Sequence, residues 1–555
     1  MNDHIEILKR LKESEDHVEF KAARHNYPFA GGSHNEPRER RHCVLGYIVA
    51  LANEGGGKLV LGMEDARPHS VCGSDFAQGE TGNLQAAIYK ALDIRVQTHE
   101  EYETNKRVLI IEVPSRPVGR LLKFEGVALM RVGEELHEMS DAQMLKILSE
   151  QEPDFSARIC EKMTLEDLDE EAINVLKVKY AEKNENPQFE TVPDKQALQD
   201  LHLLVNGKLT YAALILLGKP ETKRKFLPQD NVVVEFRYDS ASIQYDAREE
   251  FQLPLMTGID AIWAYLNQPL SNPMSHIGDN TYIFDIHRFN RDAIREAILN
   301  AITHRSMQIQ SDVVIKQSTR DLVITNAGGF PLGVDINNIL TVNSTPRQKL
   351  LAEVLQKTGL VEKSGQGIDK MFSLCIMESK PLPDFSGTDL YQVQLKFKAE
   401  ILDEAFVVFI RREQARRPSG KKLNVFELLI LYTLKFEEAL PKNFPKESLD
   451  HLLEEGLVLH INDKYYLGGD YNVIHKNMPP FATSNGKSLI NSELTTRQRV
   501  IYSRITENPK ELAEDMAKAL NISRRTVDRE TAILRKLGYI RKSEKDNKSP
   551  WLILK

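Results

Sequence analysis

The spacing of hydrophobic residues changes several times along the 555 residues. Short apolar runs such as Leu59–Met63 predict strands, and they alternate with helical spacing in the first 150 residues. Helical spacing prevails around Leu209–Leu217, strand-like residues recur near Asn231–Tyr238, and three helical patterns close the chain. We therefore predict an α/β multidomain protein with five segments: an α/β domain at 1–150, a connecting helical and α/β region at 151–285, an α/β domain at 286–400, a linker with a small helical domain at 401–480, and a helical domain with a wing at 481–555.

Composition changes this outline little. A hydrophobic content of 41% with 28% charged residues is ordinary for soluble globular domains. No apolar run is long enough to span a bilayer, and the first residues are too polar for a secretory signal. The four cysteines are scattered, so neither a disulfide framework nor a zinc site is indicated. We expect a cytoplasmic protein without a membrane partner.

One predicted helix carries candidate chemistry. Glu296, Asn300 and His304 recur every four residues, on a face different from the apolar face that contains Ile294 and Ile298. A carboxylate, an amide and an imidazole in one row can polarise a water molecule, bind Mg²⁺ and contact a phosphate. An amphipathic helix with a polar outer face explains the same pattern, so the helix alone leaves both readings open.

Two glycine-containing turns follow this helix. The strand Asp321–Thr325 ends in a turn with Asn326, Gly328 and Gly329. Further on, a turn with Gly365 and Gly367 runs into another helix, where backbone N–H groups can approach a phosphate.

In this order, the E-x-x-x-N helix, the N-x-G-G turn and the G-x-G-I turn resemble the GHKL ATP-binding fold, an α/β sandwich, in the branch described as RecG-like C-terminal domains. The resemblance covers residues 285–400 and implies ATP and Mg²⁺ as cofactors. It also implies a homo-oligomer, because GHKL domains often work as dimers.

The same resemblance assigns roles to single residues. Glu296 would be the water-activating base, Asn300 the Mg²⁺ ligand, and Asn326 would stand where the wider family has an adenine-reading aspartate. Whether ATP is hydrolysed or only bound stays open. The remaining candidate cofactor contacts are His304 and Arg305, Gly328 and Gly329 of the first turn, Gly365 and Gly367 over the phosphates, and Arg347 in a predicted lid.

The motifs at Glu13–Lys21, Ala52–Asp65 and Met130–Gly133 resemble the Schlafen AlbA_2 domain. In nuclease-competent members, acidic residues bind a divalent metal such as Mg²⁺ or Mn²⁺. That role would fall on Glu15 (or Glu13), Glu19 and Asp65 (or Glu64), with Lys21, Arg24 and Arg131 holding nucleic-acid phosphates. This sequence departs from the usual pattern, because Ser14 stands where the first of the two glutamates is expected, with Glu13 and Glu15 on either side.

The alternating pattern of this first strand places Val18 and Phe20 inward, which leaves Glu19 and Lys21 outward. Three readings of the acidic residues stay open. They solvate a strand edge, they belong to a domain that only binds nucleic acid, or they support metal-dependent cleavage.

The C-terminal segments carry positive charge. Residues 491–555 hold 15 Lys and Arg against 9 Asp and Glu, whereas the whole chain has a net charge of −7. Residues 411–422 form a basic run that we interpret as a linker, and 424–467 follow the order of a degenerate winged helix. The last segment resembles a winged helix-turn-helix: Ser523 would cap a recognition helix, Arg524, Arg525 and Arg529 would reach base edges, and Lys542 would place the wing on phosphates.

Two functions fit these patterns. The first is an ATP-responsive DNA-binding regulator. The alternative is a divalent-metal-dependent RNA or tRNA endonuclease that is gated by nucleotide and acts in phage defence, as some Schlafen-like relatives do. A third hypothesis, an ATPase scaffold in a larger complex, would need no nucleic-acid affinity of its own. The chain contains no G-x-x-x-x-G-K-[ST] P-loop, which argues against a P-loop helicase.

Overall fold

A computed structural model gives the architecture. The residues that it describes are 3–13, 16–31, 35–133, 135–150, 152–239, 243–278, 283–331, 333–342, 346–361, 366–418, 420–436, 440, 444–461, 464–477, 496–520, 522–536, 539–542 and 551–553. Among these residues, no helix combines the length and apolar character that crossing a bilayer requires. The chain is a mixed α/β multidomain protein, as the hydrophobic pattern predicts.

The N-terminal unit is a four-stranded sheet with helices on both faces. The strand order is β1-β2-β4-β3, with β1 parallel to β2 and the other pairs antiparallel. Helix α1 packs Ile5 and Leu8 against one face, and all ten residues of α3 are buried against the other. The elements are α1 (Asp3–Leu8), β1 (Val18–Lys21), α2 (Pro37–Arg41), α3 (Val44–Asn53), β2 (Gly57–Leu61), α4 (Thr81–Leu92), β3 (Gln97–Glu103), β4 (Lys106–Val113), β5 (Leu129–Val132), β6 (Glu135–Glu138) and α5 (Asp141–Leu148).

The central unit is built on a five-stranded sheet that is packed against helices. Its elements are α6 (Glu170–Lys183), α7 (Asp194–Asp200), β7 (Leu204–Val205), β8 (Lys208–Leu209), α8 (Tyr211–Leu217), α9 (Pro220–Phe226), β9 (Val232–Arg237), β10 (Ala247–Phe251), α10 (Leu255–Leu266), β11 (Met274–Gly278), β12 (Ile283–His287), α11 (Arg291–His304), β13 (Val313–Ser318), β14 (Asp321–Ala327), α12 (Lys349–Lys357), α13 (Gln366–Met377) and β15 (Gln392–Lys398).

This sheet crosses the boundary that the sequence pattern places at residue 285. The strand order is β10-β9-β13-β14-β15, and β9 from the predicted connecting region pairs in parallel with β13, with Val233 opposite Val314. A single hydrophobic core runs from Cys160 to Val425. Residues 151–285 and 286–400 therefore share one sheet and one core.

The C-terminal units are helical, and each contains one short hairpin. In the first unit, β16 pairs with β17, and in the second, β18 pairs with β19. The second hairpin follows three helices, α18, α19 and α20, which lie near the predicted positions. The elements are α14 (Glu404–Arg416), α15 (Val425–Leu434), α16 (Lys446–Glu454), β16 (Val458–Ile461), β17 (Lys464–Leu467), α17 (Tyr471–Asn477), α18 (Thr496–Glu507), α19 (Ala513–Leu520), α20 (Arg524–Lys536), β18 (Ile540–Lys542) and β19 (Trp551–Ile553).

The basic run at 411–422 is only partly a linker. Its first six residues form the last part of helix α14, whose apolar side is buried. Arg417 follows the helix and donates to Glu413 within it and to Glu455 at the end of α16. Arg417 therefore ties the end of α14 to the end of α16.

Lys435, next to the end of α15, is a buried amine in this unit. Its Nζ lies 4.7, 4.0 and 4.6 Å from the ring centres of Phe406, Tyr432 and Phe436 and donates to Ser379 Oγ at 2.7 Å. Burial lowers the pKa of Lys435 to about 7, although the charge of Asp403 opposes this shift. The amine is therefore about half protonated at pH 7.

We predict that stability rises with pH because of Lys435. Unfolded lysine titrates near pH 10.4, so between that value and about 7 the unfolded state binds more protons, and the free energy of unfolding increases by at most about 1.4 kcal/mol per pH unit. Urea unfolding between pH 7 and 8.5 measures this rise. For Lys435→Met, the free energy of unfolding should rise less steeply with pH than for wild type over the same window. Equal slopes for the two proteins would contradict the assignment.

Candidate nucleotide site and nucleic-acid interfaces

Helix α11 presents Glu296 and Asn300 on one side, as predicted. Asn290 caps the helix through its side chain, and Ile294 and Ile298 are fully buried in the central core. Asn300 Nδ2 lies 3.3 Å from Glu296 Oε1, and Glu296 is only 5% exposed. The apolar face of the helix fixes its rotation, so the carboxylate and the amide emerge together beside α13.

The start of helix α13 lies directly against Glu296. A Cβ atom added to Gly367 would come within 1.9 Å of Glu296 Oε1 and 2.7 Å of its Cδ, so the Glu296 side chain or the start of α13 would have to shift. Gly367 allows this close approach, and the structure brings it together with Glu296 and Asn300. Gly365 lies outside the described residues.

This corner suits the phosphates of a nucleotide with Mg²⁺. Carboxylate and amide oxygens are Mg²⁺ ligands, and the first N–H groups of a helix attract anions. Glu296 lies against Gly367 at the start of α13, so both kinds of group are present at this corner.

The predicted base-reading residues lie at the end of β14 and in the turn after it: Asn326 is within the strand, and Gly328 and Gly329 follow it. Asn326 is 4% exposed, and its Nδ2 donates to the carbonyl of Ala327 at 3.2 Å. Gly328 has a φ of +85°, and its N–H donates to the carbonyl of Tyr391 at 2.7 Å. A Cβ at Gly329 would lie 2.3 Å from the carbonyl oxygen of Asp389. The positive φ accounts for Gly328 and the close approach of Asp389 accounts for Gly329, independently of any ligand.

Arg347 does not reach toward Glu296, contrary to the predicted role over the phosphates. Its Nε donates to Glu152 at 2.7 Å, and its Nη1 and Nη2 donate to the carbonyls of His304 and Gly329 at 2.7 and 2.9 Å. His304 lies two helical turns beyond Glu296, about 12 Å along the axis. Arg347 therefore belongs to the end of the site where Asn326 lies. Residues 343–345 of the predicted lid lie outside the described residues.

Burial bears on the predicted roles of His304, which stays a prediction, and Arg305, which the structure places inside the core. Burial, together with the nearby charge of Arg347, lowers the pKa of His304 to about 4, so its imidazole is neutral at neutral pH. Arg305 is fully buried, and its Nη2 donates to the carbonyl of Ser311. A fully buried guanidinium in the core is not placed to contact a nucleotide directly.

Glu19 lies inside the N-terminal unit, so the prediction that it faces outward is wrong. It is 0% exposed, with Oε1 2.8 Å from Lys21 Nζ and Oε2 3.0 Å from Arg131 Nη1. The reason is that α3 covers this face of β1: Lys21 Nζ lies 5.0 Å from the ring centre of Tyr47 on that helix. Arg131 also pairs with Glu54 at 2.9 Å, a partner that we did not identify from the sequence although it lies within the quoted motif.

The other acidic candidates have structural partners as well. Asp65 pairs with Lys21 at 2.8 Å and is 52% exposed, and Glu64 pairs with Arg24. Glu13 Oε1 accepts the N–H of Phe20 at 2.7 Å, whereas Glu15 lies outside the described residues.

This ion network does not fit a divalent metal. Burial alone would lower the pKa of Lys21, but Glu19, Tyr47 and Asp65 together raise it, so the lysine is firmly charged. Within the described part of the chain, no three His, Cys, Asp or Glu side chains converge as metal ligands. The two cations take the place that a metal would need beside Glu19.

The predicted recognition helix α20 starts with the expected cap. Ser523 Oγ accepts the N–H of Thr526 at 3.1 Å. Arg524 pairs with Glu514, and Arg529 pairs with Glu530 at 2.8 Å. Arg525 is exposed and forms no ion pair or hydrogen bond with the described residues, so among the three arginines predicted to reach base edges it is the most available to a ligand. The side chain of Lys542, at the end of β18, lies outside the described residues.

Comparison with protein families gives three separate matches. Residues 15–140 match the model "Schlafen, AlbA_2", and residues 310–397 match "Putative ATP-dependent DNA helicase recG C-terminal". Residues 142–233 match a domain of unknown function, DUF8451. The second match begins after α11, so Glu296, Asn300 and His304 lie outside it. No curated protein matches the chain.

Two solved structures are similar to parts or all of the chain. The DIP2311 protein from Corynebacterium diphtheriae is 18% identical, with 98% of this chain and 96% of that chain covered and a TM-score of 0.47. The N-terminal domain of a "Putative ATP-dependent DNA Helicase RecG-related Protein" from Nitrosomonas europaea is also 18% identical. There the match covers 25% of this chain and 90% of that chain, with a TM-score of 0.17.

Gly367→Ala should weaken nucleotide binding at least tenfold, because the added methyl group would overlap Glu296 and push α13 away from α11. Fluorescent ATP titration in Mg²⁺ measures the effect. Gly82→Ala is the matched control: Gly82 is also the second residue of its helix, but a Cβ there meets no atom within 4 Å. Equal ATP affinity in the two variants would contradict the assignment.

Glu19→Ala should destabilise the N-terminal unit by about 3–5 kcal/mol, because it leaves Arg131 buried with one partner fewer. Asp65→Ala should cost less than about 1 kcal/mol, because its carboxylate is half exposed. Urea unfolding compares the two variants. Similar small losses for both would show that the Glu19 network contributes little to stability.

Proposed function

We propose that this protein is an ATP-responsive nucleic-acid-binding protein that acts as a DNA-binding regulator. The observation that carries the nucleotide part is the contact between Glu296 on α11 and Gly367 at the start of α13. The match of residues 310–397 to a RecG C-terminal model and of residues 15–140 to a Schlafen AlbA_2 model supports a nucleic-acid-related, ATP-associated function.

In this proposal the residues of the nucleotide site divide into two ends. Asn300 holds Mg²⁺ and Glu296 orients a water molecule, while the N–H groups that begin α13 hold the phosphates. Asn326 and the Gly328 turn contact the base.

The C-terminal unit would contact DNA. Helices α18, α19 and α20 followed by the β18–β19 hairpin have the order of a winged helix-turn-helix, and α20 carries the exposed Arg525. A recognition helix meets base edges with its N-terminal residues, which is where Arg525 lies. We also propose a homo-oligomer, which sedimentation of the purified protein tests.

Metal-dependent cleavage is the weaker candidate. The buried pairs of Glu19 with Lys21 and Arg131 favour a structural role for this carboxylate. Asp65→Asn is a better nuclease test than a Glu19 variant, because it removes a candidate ligand without leaving a buried charge unpaired. Mn²⁺-dependent RNA cleavage that Asp65→Asn abolishes would establish the nuclease instead.

Arg525→Ala should lower duplex DNA affinity by about 5- to 50-fold and reduce the salt dependence of binding by roughly one ion. Its ATP affinity should be unchanged. Arg535→Ala is the control, since it removes an exposed charge of the same sign from the far end of α20. The measurement is fluorescence anisotropy at several salt concentrations, with and without ATP. Equal DNA affinities in the two variants would remove α20 from the interface, and DNA binding unaffected by ATP would contradict ATP gating.

A further inference from the structure

The N-terminal unit holds the turn at the base end of the nucleotide site. Arg120 Nη2 donates to the carbonyl of Phe330 at 2.7 Å, immediately after Gly329. Arg95 pairs with the buried carboxylate of Asp389 at 2.8 Å, and the hydroxyl of Tyr391 donates to the carbonyl of Ser115 at 2.9 Å. Residues 389–391 in turn accept the N–H groups of the glycine turn, so the turn is tied to the N-terminal unit on two sides.

The segment that leaves the N-terminal unit holds the same turn from a third direction. Glu152 Oε2 accepts from Arg347 Nε at 2.7 Å, and its Oε1 accepts from Ser306 Oγ at 2.9 Å. Arg347 in turn donates hydrogen bonds to the carbonyls of His304 and Gly329. Asp154, two residues further on, accepts the N–H of Leu350 in the first turn of α12 at 2.9 Å.

The Glu152–Arg347 pair is well suited to couple the position of the glycine turn to the segment that leaves the N-terminal unit. The side chains are 20% and 13% exposed, so their attraction is screened less than that of a surface pair. Arg347 uses Nε, Nη1 and Nη2 at once, and a planar guanidinium cannot keep three such bonds if the turn shifts. On the other side of Glu152, Glu150 forms a more exposed pair with Arg116, with two bonds of 2.8 Å, that does not include Arg347.

We propose that Glu152 is a positioning residue for the nucleotide site, acting through Arg347, and that this ion pair couples nucleotide occupancy to docking of the N-terminal unit. The inference rests on the proposed function, in which Asn326 and the Gly328 turn contact the base. A base that binds there fixes the position of the turn, and the turn fixes Arg347, Glu152 and the segment at 152–156. Coupling between binding and docking is reciprocal, so an undocked N-terminal unit weakens nucleotide binding.

The test compares full-length wild type with Glu152→Gln, Glu152→Asp and the control Glu150→Gln. Glutamine keeps an oxygen for Ser306 but loses the charge that holds Arg347, whereas aspartate keeps the charge. Glu150→Gln removes a charge from the same segment without touching Arg347. Two quantities are measured: the Kd for a fluorescent ATP analogue with Mg²⁺, and the rate of limited proteolysis between residues 148 and 156 with and without ATP.

For Glu152→Gln we expect the Kd to rise roughly 5- to 20-fold and ATP to lose its protective effect on the segment. Glu152→Asp should recover more than half of the affinity, and Glu150→Gln should stay within twofold of wild type. A Glu152→Gln protein with the wild-type Kd and wild-type ATP protection would overturn the coupling alone. A wild type that binds no ATP would overturn the proposed function, and the coupling with it.

Discussion

The packing of α11 against α13 is the constraint on which the central unit depends. The two helices contact each other at both ends of α13: Glu296 lies against Gly367, and Asn290, the cap of α11, donates to Glu378 just beyond α13 at 2.6 Å. Contacts at two points fix both the rotation and the sliding of one helix on the other. The candidate phosphate corner, and the approach of Ile376 to the C-terminal core, both follow from this fixed geometry.

Charge is used differently at the two ends of the chain. In the N-terminal unit, Lys21 and Arg131 are enclosed with carboxylates, and removing one member of such a group costs more than the pair itself contributes. At the other end, Arg525 stands in water without a described partner. The N-terminal cations are committed to the fold, whereas positive charge near the C-terminus remains available to a polyanion.

Features that depend on local periodicity could be predicted from the sequence. The apolar face of α11, the cap at Ser523 and the three helices near the C-terminus follow from spacing and capping within a few residues. Alternation along β1 identified two faces but not that both are covered, because α1 and α3 pack on opposite sides of the sheet; Glu19 was therefore placed in solvent. Contacts between distant residues carry no local pattern, so the pairing of β9 with β13 and the position of Arg347 could not be read from the chain.

The pairing of β9 with β13 has a consequence for how the chain acquires its structure. The two strands are adjacent in the sheet, but their register joins Val232 to Val313, across strand β10, two helices and the β11–β12 hairpin. Parallel pairing over such a separation requires closure of a long loop before any hydrogen bond forms, which makes folding slow. During synthesis, β9 and β10 are made well before β13. Until β13 is made, the edge of β9 that pairs with it stays unpaired. The central unit thus completes its sheet only after β15 has been made, and a truncation near residue 285 would leave an aggregation-prone edge rather than a domain.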